Sequence, residues 1–526
     1  MPSRSSADHS VSPPAVTIPR EYNAAVDLIE RNLAAGRAAR VAYVDDAGEY
    51  TFGELAQRVD RFGSGLLAMG LEMEQRVLLA LTDTIDFPTA FLGAIKAGII
   101  PIAANTLLTS KDYQYMLSDS RAKALVVSEP LLPQFAPLLG KLPFLKQVIV
   151  SGRSTHGNTA FGEVLAKGKA PLSPAATTSD DACFWLYSSG STGMPKGTVH
   201  VHSSMILTAE LYAKAVLGMK EGDVVFSAAK LFFAYGLGNA LSFTLAAGAT
   251  AILMAERPTP ASVFKRLTER KPTLFFGVPT LYAAMLASPD FPKKGSLALR
   301  QCVSAGEALP AQIAKTWKEK TGVEILDGIG STEMLHIFLS NRPRDLRYGT
   351  TGKAVPGYEL RLVDEQGGAV KAGELGELQI SGPTGAAYYW NNRDKSRNTF
   401  AGGWTKSGDK YTQDQDGYYI YGGRSDDMLK VSGIWVSPAE VEAALIGHEA
   451  VLEAAVVGCE DENRLVKPKA YVVLKQGHSA NDALKAALQQ HVKDRLAPYK
   501  YPRWIEFLNE LPKTATGKIQ RFKLRD

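Results

Sequence analysis

The chain is poor in cysteine, with three in 526 residues: Cys183, Cys302 and Cys459. So few, so widely spaced, exclude a disulfide framework and a cysteine-ligated zinc cluster, and they fit a reducing cytoplasm. Long apolar runs are also missing. The best candidate, residues 91–104, carries Lys96 and Gly98 near its middle, so no membrane span is expected. The opening MPSRSSADHSVSPPAV lacks the apolar core of a secretory signal and reads as a disordered tail over residues 1–17. A large charge imbalance is absent too: the net charge is +5. Residues 491–526 hold nine Lys/Arg against four Asp/Glu, enough to account for the whole excess. Such a tail is either a solvated basic face or a contact for a polyanion. No stacking pattern of aromatics accompanies it, so no nucleic-acid partner is expected. Repeats at solenoid periods are lacking.

What is present is ordinary globular composition, 45% hydrophobic and 21% charged, in a chain too long for one core. Apolar runs at 76–81, 124–129, 147–152 and 273–278 alternate with amphipathic segments. That is the βα alternation of parallel sheets. Over 358–383 the texture changes to period-2 alternation with Gly-rich turns, the mark of an antiparallel β subdomain. Ser437, Pro438 and Glu440 predict a capped helix start with a capping box. Residues 469–475 read as a strand, and Leu484, Leu488, Val492 and Leu496 share one helix face. The expected fold is therefore α/β. A large N-terminal domain of parallel βα sheets (18–425) carries the antiparallel subdomain, and a small mobile α+β C-terminal domain (426–526) follows.

The stretch YSSGSTGMPKGT, residues 187–198, has the composition of a phosphate cradle. Gly190 and Gly193 let backbone N–H groups turn onto an anion, Ser188, Ser189, Ser191 and Thr192 add donors, and Lys196 adds charge. It is not a Walker loop, because Pro195 and Gly197 stand where that motif needs Gly and Ser/Thr. A surface loop is the bland alternative.

SSGSTGMPKG resembles the signature of adenylate-forming enzymes: acyl-CoA synthetases, peptide-synthetase adenylation domains and luciferases. Five further motifs follow in the family's order: SAGEAL (304–309), DGIGSTE (327–333), WTKSGD (404–409), YGGRSDDMLKVSG (421–433) and LPKTATGKIQR (511–521). One position departs from the pattern: Ile329 stands where the family usually has an aromatic.

The resemblance implies two half-reactions. A carboxylate attacks the α-phosphate of ATP to give an acyl-adenylate, and a thiol then displaces AMP. It implies ATP, Mg²⁺ and coenzyme A as ligands. Lys518 would bridge the acid and the α-phosphate, Thr332 would donate to that phosphate, and Glu333 would hold Mg²⁺. Ala305, Gly306, Glu307, Asp327, Gly328 and Ile329 would line the adenine side. Asp409, Tyr421 and Arg424 would face the ribose and phosphates. Asp426 matches the hinge about which the C-terminal domain turns between the two steps. Lys430, Ser432, Gly433 and Trp435 would line the path of coenzyme A. For a lone glutamate, aspartate, arginine or tail lysine, the plain readings are a helix-end acid, a turn, a surface ion pair and a basic face.

Residues 230–240, KLFFAYGLGNA, match the acyl pocket. No acidic residue lies between positions 226 and 255 to pair with an ammonium, so an α-amino acid is not the expected substrate. Phe233, Ala234, Tyr235 and Gly236 form one wall, and Ala305, Gly306 and Gly330 leave a slot suited to a planar ring. His336 and Ile337 would close its end, with His336 packing rather than binding a ring hydroxyl. Ordinary core packing accounts for the same stripe. Together with LKVSGIWVSPAEVE, this wording is most similar to the benzoate–CoA ligases, so the expected partner is a small aromatic acid. A homodimer is compatible with the sequence. His200 and His202 share a strand face without a nearby third ligand, so they do not read as a metal site. The alternatives are a stand-alone aryl-acid adenylation enzyme loading a carrier protein, a luciferase-like oxygenase and a non-catalytic nucleotide binder. The lack of a fused carrier after Asp526 weighs against the first, and Lys518, Glu333 and Asp409 weigh against the last.

Overall fold

The computed structural model describes residues 4–190, 193–425, 427–431, 434–462, 465–514 and 519–525. The strands Arg76–Ala80, Ala124–Ser128 and Gln147–Ser151 pair in parallel, as their apolar runs predict. They belong to an eight-stranded sheet whose other edge is the hairpin Ala182–Gly190 and Gly193–Val201 with Tyr388–Tyr389. A nine-stranded sheet is built around Val224–Ser227, Leu274–Gly277, Gln301–Ser304 and Ile325–Gly330, also parallel.

Period-2 patterning divides each strand between two cores. Val77 and Leu79 enter the central core, while Leu78 and Ala80 enter an outer one. Leu274 and Phe276 likewise face the centre and Phe275 faces a third core around Trp317. Helices Phe52–Ala68 and Asp86–Lys96 contribute Phe52, Phe62, Phe87 and Phe91 to the central core between the two sheets. Burial on both faces explains why these strands read as unbroken apolar runs.

Residues Glu359–Val363 and Gly376–Ser381 pair antiparallel and continue into Trp404–Gln413 and Tyr419–Arg424, which is the expected antiparallel subdomain. The small C-terminal unit has its own sheet (Val451–Glu460, Val466–Leu474, Trp504–Phe507) and its own core. Leu488 and Val492 of helix Asp482–Lys493 are fully buried in it.

Two local expectations change. Ser437 caps helix Pro438–Ile446 by accepting the Glu440 N–H at 3.1 Å, but the return half of the capping box is replaced. The Glu440 carboxylate instead pairs with Lys500 at 2.6 Å, a stronger charged partner. Of the expected disordered tail over residues 1–17, residues 1–3 lie outside the described residues and the rest carries a hairpin, Ser6–Asp8 against Ala15–Thr17. Ser5 Oγ donates to Asp27 at 2.6 Å, and His9 Nε2 lies 2.8 Å from Glu210 Oε2. The segment is fastened by polar pairs, which an apolar pattern does not reveal. Among the described residues, no helix is long and apolar enough to cross a membrane.

Candidate active site

The candidate residues collect where the parallel strands of the nine-stranded sheet end, the usual ligand position in open α/β sheets. Gly277, Ser304 and Asp327 are register neighbours on adjacent strands. Ala305 and Gly306 follow directly, and Gly328, Ile329 and Gly330 finish the next strand. Among the described residues, Asp327 Oδ1 and Ser304 Oγ are buried without a hydrogen-bond partner. Burial pushes the Asp327 carboxyl well above the usual range. Ile329 packs against the central core.

Around this strand end lie the residues expected to form the acyl wall. Phe233 adopts an extended backbone before the short helix Ala234–Leu237, and its ring sits 4.3 Å from that of Phe232. The Tyr235 hydroxyl donates to Val303 O at 3.3 Å, which pins its ring across the strand ends. Gly236 packs onto the backbone carbonyls of Ala229 and Lys230, leaving no room for a Cβ. His336 is 2% exposed, and its Nε2 lies 3.1 Å from Asn239 Oδ1 and 3.2 Å from Tyr235 O. Phe243, Tyr235 and Tyr212 surround the imidazole. Burial drives its pKa down to about 3, so it is neutral. Gly238 and Gly330 touch this histidine so closely that a Cβ on either would overlap it. Ile337 lies over Gly328, also buried. The expectation that His336 packs therefore agrees with its surroundings.

The corner expected to hold phosphate is different in character. The 182–201 segment is a β-hairpin, with Ser188 opposite Lys196 and Gly190 opposite Gly193. Ser188 is buried and its Oγ accepts from Thr198 Oγ1 at 3.4 Å. Ser191 and Thr192 lie outside the described residues, and only the backbone of Ser189, Gly190 and Gly193 is described. Burial lowers the Lys196 pKa, and the neighbouring Glu333 carboxylate opposes that shift. Thr332 and Glu333 occupy the turn after Gly330. Leu335 closes that turn with a left-handed φ of 67°, a strained conformation for a leucine. His200 donates from Nε2 to Thr332 O at 2.8 Å, so the imidazole neglected as a metal ligand serves to hold this turn. Burial keeps it neutral, with a pKa of about 4.

Opposite, Asp409 faces Arg424 on the next strand, with Arg424 Nη1 donating to Asp409 Oδ1 at 3.2 Å. Gly408, with φ 73°, lies inside strand Trp404–Gln413 at its register shift against Gly376–Ser381, next to this carboxylate. The Tyr421 ring packs on Tyr411 at 5.3 Å. Among the described residues, the C-terminal unit meets this cleft where Ile519 N–H donates to Glu307 Oε1 at 2.9 Å. Lys513 and Ile519 are bridge partners at the base of the lysine loop. Lys518, Asp426, Ser432 and Gly433 lie outside the described residues. Lys430 and Trp435 are register partners in a small hairpin, Leu429–Val431 and Ile434–Val436, of which only the backbone is described at those two positions. Sequence reasoning missed Asn239, Tyr212 and Tyr389, which complete the surroundings of His336 and Glu333. The aromatic cluster AAYYWNN at 386–392 was the available signal for Tyr389.

Packed aromatic and small residues thus stand at the strand ends, and a Gly/Ser hairpin with Lys196 near the Glu333 carboxylate forms a second, charged group. Residues 30–390 match the AMP-binding enzyme family and residues 440–518 match its C-terminal domain. The chain belongs to the AMP-binding enzyme family. The resemblance drawn from the motifs is borne out. The chain is 65% identical to the benzoate–CoA ligase of Thauera aromatica, over 99% of this chain and 98% of that one. It is 50% identical to a 4-hydroxybenzoate–CoA/benzoate–CoA ligase of Rhodopseudomonas palustris, over 96% and 94%. Among solved structures it resembles a benzoate CoA ligase from Burkholderia xenovorans LB400, at 55% identity and TM-score 0.91, covering 96% of this chain and all of that one (100%). It also resembles an anthranilate CoA ligase in complex with anthranoyl-AMP, at 46% identity and TM-score 0.93, covering 96% and 97%. This family member thus has the α/β architecture of adenylate-forming enzymes, with large N-terminal and small C-terminal domains.

Proposed function

We propose that this AMP-binding enzyme is an aryl–CoA ligase that converts benzoate, or a close aromatic acid, to its CoA thioester at the expense of ATP. What supports the reading is the company at the strand ends, where Tyr235 and Gly330 pack with a buried, neutral His336 and with Phe233 and Ile337 of the same core, together with the Lys196–Glu333 pair and the 65% identity to a benzoate–CoA ligase. Aromatic and small residues of this kind suit a planar apolar ring, whose carboxylate would be turned toward Lys196.

In the first step a carboxylate oxygen of the acid attacks the α-phosphorus and pyrophosphate departs. Lys518 offsets the charge shared by the carboxylate and the α-phosphate, and Thr332 donates to that phosphate. Lys196 and backbone N–H groups of the Gly/Ser hairpin hold the departing phosphates. Asp409 accepts from the ribose hydroxyls, and the unpartnered Asp327 oxygen is available to the adenine amino group. Among the described residues no group of three or more metal-ligating side chains exists. Glu333, a hard oxygen donor, is the residue that would hold magnesium. When bound there, magnesium neutralises phosphate charge. In the second step the C-terminal domain turns about Asp426, and the coenzyme A thiolate enters past Gly433 and attacks the acyl carbon. The acyl–oxygen bond breaks and AMP leaves with the electron pair; the thiol proton passes to solvent. The setting is cytoplasmic.

The test is AMP release with ATP and Mg²⁺ across benzoate, 4-hydroxybenzoate, 2-aminobenzoate, cyclohexanecarboxylate, acetate and phenylalanine, each with and without coenzyme A. Fast release with benzoate that needs coenzyme A is expected. Equal release with phenylalanine would overturn the pocket assignment. Adenylate formation indifferent to coenzyme A would favour a carrier-loading enzyme.

A further inference from the structure

Residues 384–390 bind two elements of the phosphate corner at once. Ala386 N–H donates to Glu333 O at 2.7 Å, Ala387 N–H to Val199 O at 2.9 Å, and Trp390 N–H to Gly197 O at 2.8 Å. Tyr389 sits within this strap and is 3% exposed. Its phenol donates to Glu333 Oε1 at 2.8 Å. The Lys196 ammonium lies over its ring, 4.7 Å from the centroid. Phe400 backs the ring at 5.1 Å, and Tyr389 N–H donates to Ser396 Oγ at 2.9 Å. One side chain therefore touches both the lysine of the phosphate hairpin and the carboxylate assigned to magnesium.

The arrangement solves a specific problem. Lys196 and Glu333 attract each other. Left alone in a partly dry corner, they would gain by forming a direct ion pair, which would withdraw both charges from the nucleotide. A phenol that hydrogen-bonds the carboxylate and offers its face to the ammonium gives each charge a partner without neutralising either. The hydrogen bond engages Oε1 and leaves Oε2 to turn toward a cation.

We propose that Tyr389 is a positioning residue for adenylation: it orients the Glu333 carboxylate toward magnesium and holds Lys196 apart from it. The proposal rests on the adenylation reading above. Outer groups of this kind usually change metal affinity by about tenfold or more when removed.

The experiment is calorimetric binding of a non-hydrolysable ATP analogue across a magnesium series and without magnesium, for wild type, Tyr389→Phe, Tyr389→Leu and Glu333→Gln, with melting temperatures. Tyr389→Phe keeps the ring and removes only the donor. It should need about tenfold more magnesium for half-maximal binding, bind the metal-free nucleotide within about twofold of wild type, and melt within about 2 °C of it. Tyr389→Leu should also weaken metal-free binding, because Lys196 loses its platform. Steady-state kcat should fall in Tyr389→Phe while the KM for the acid stays put. An unchanged magnesium dependence in Tyr389→Phe, with Glu333→Gln shifted, would overturn the proposal while leaving the adenylation reading intact. Equal loss of metal-free and magnesium-supported binding in Tyr389→Phe would also overturn it, as damage to packing alone. If Glu333→Gln itself leaves the magnesium dependence unchanged, the metal assignment fails and the proposal falls with it.

Discussion

The two ends of the cleft are built from different physics. At the acyl end, His336, Ile337 and Ala305 are at most 3% exposed, glycines replace side chains where backbones crowd, and every contact is packing or a neutral hydrogen bond. At the proposed phosphate end, Lys196 and Glu333 are partly exposed and are linked through charge, a phenol and a ring face, while the exposed Arg424 pairs with Asp409. A packed slot cannot adjust by fractions of an ångström, so it selects the acid by shape. A charged corner loses little by rearranging, so it suits phosphates that arrive and depart in each turnover. On the proposed reading, specificity and chemistry fall to separate ends of one cleft, and variants at the two ends should have separable signatures.

The largest effect should come from the phosphate end. Lys518→Ala should slow adenylation by about a thousandfold, the range for removing one group that stabilises developing charge. Thioester formation from supplied benzoyl-adenylate should remain within about threefold of wild type. Equal loss in both half-reactions would erase the contrast between the steps.

At the acyl end, Gly238→Ala places a methyl group against His336. The expected cost is about 1–3 kcal/mol of stability, with the KM for benzoate raised about tenfold and the KM for ATP within twofold. Denaturant unfolding and steady-state kinetics measure the two. A rise in the ATP KM alone would contradict the division of labour.

Glu307 sharpens the comparison from a third side, because it belongs to the adenine motif yet accepts the Ile519 N–H of the C-terminal unit. Glu307→Ala should lower adenylation about tenfold and leave the thioester step unchanged, as read by pyrophosphate exchange and by release of coenzyme A thioester.

The smallest effect concerns pH. His200 and His202 are buried with pKa values pushed down to about 4, and His336 to about 3. Their folded values lie below the ordinary value of about 6.5. The unfolded chain therefore binds more protons below that pH, and stability falls as pH drops from about 6.5 toward 4. Above pH 7 these three contribute no slope. His200→Gln should reduce proton uptake on unfolding at pH 5 by about one, measured by urea unfolding across pH.

Much of this was readable in the sequence, for reasons that differ along the chain. The parallel strands were legible because both of their faces are buried, so Arg76–Ala80 and Leu274–Gly277 appear as unbroken apolar runs. The six motifs were legible because phosphate, ribose and adenine contacts demand particular small or charged residues at fixed intervals. The N-terminal hairpin was not, because Ser5–Asp27 and His9–Glu210 join residues far apart in sequence through ordinary surface types. Nor was Tyr389, whose neighbours Lys196 and Glu333 meet it only after two sheets and a turn are assembled. His200 was read as a non-ligand, but its bond to Thr332 O across 132 positions has no local signal.

The most direct test of the whole account is benzoate-dependent exchange of labelled pyrophosphate into ATP in the absence of coenzyme A. A benzoyl-adenylate formed in the cleft predicts rapid exchange that disappears when benzoate is replaced by phenylalanine. No exchange, with AMP appearing only when coenzyme A is present, would mean that no free-standing adenylate forms and would contradict the two-step reading of this site.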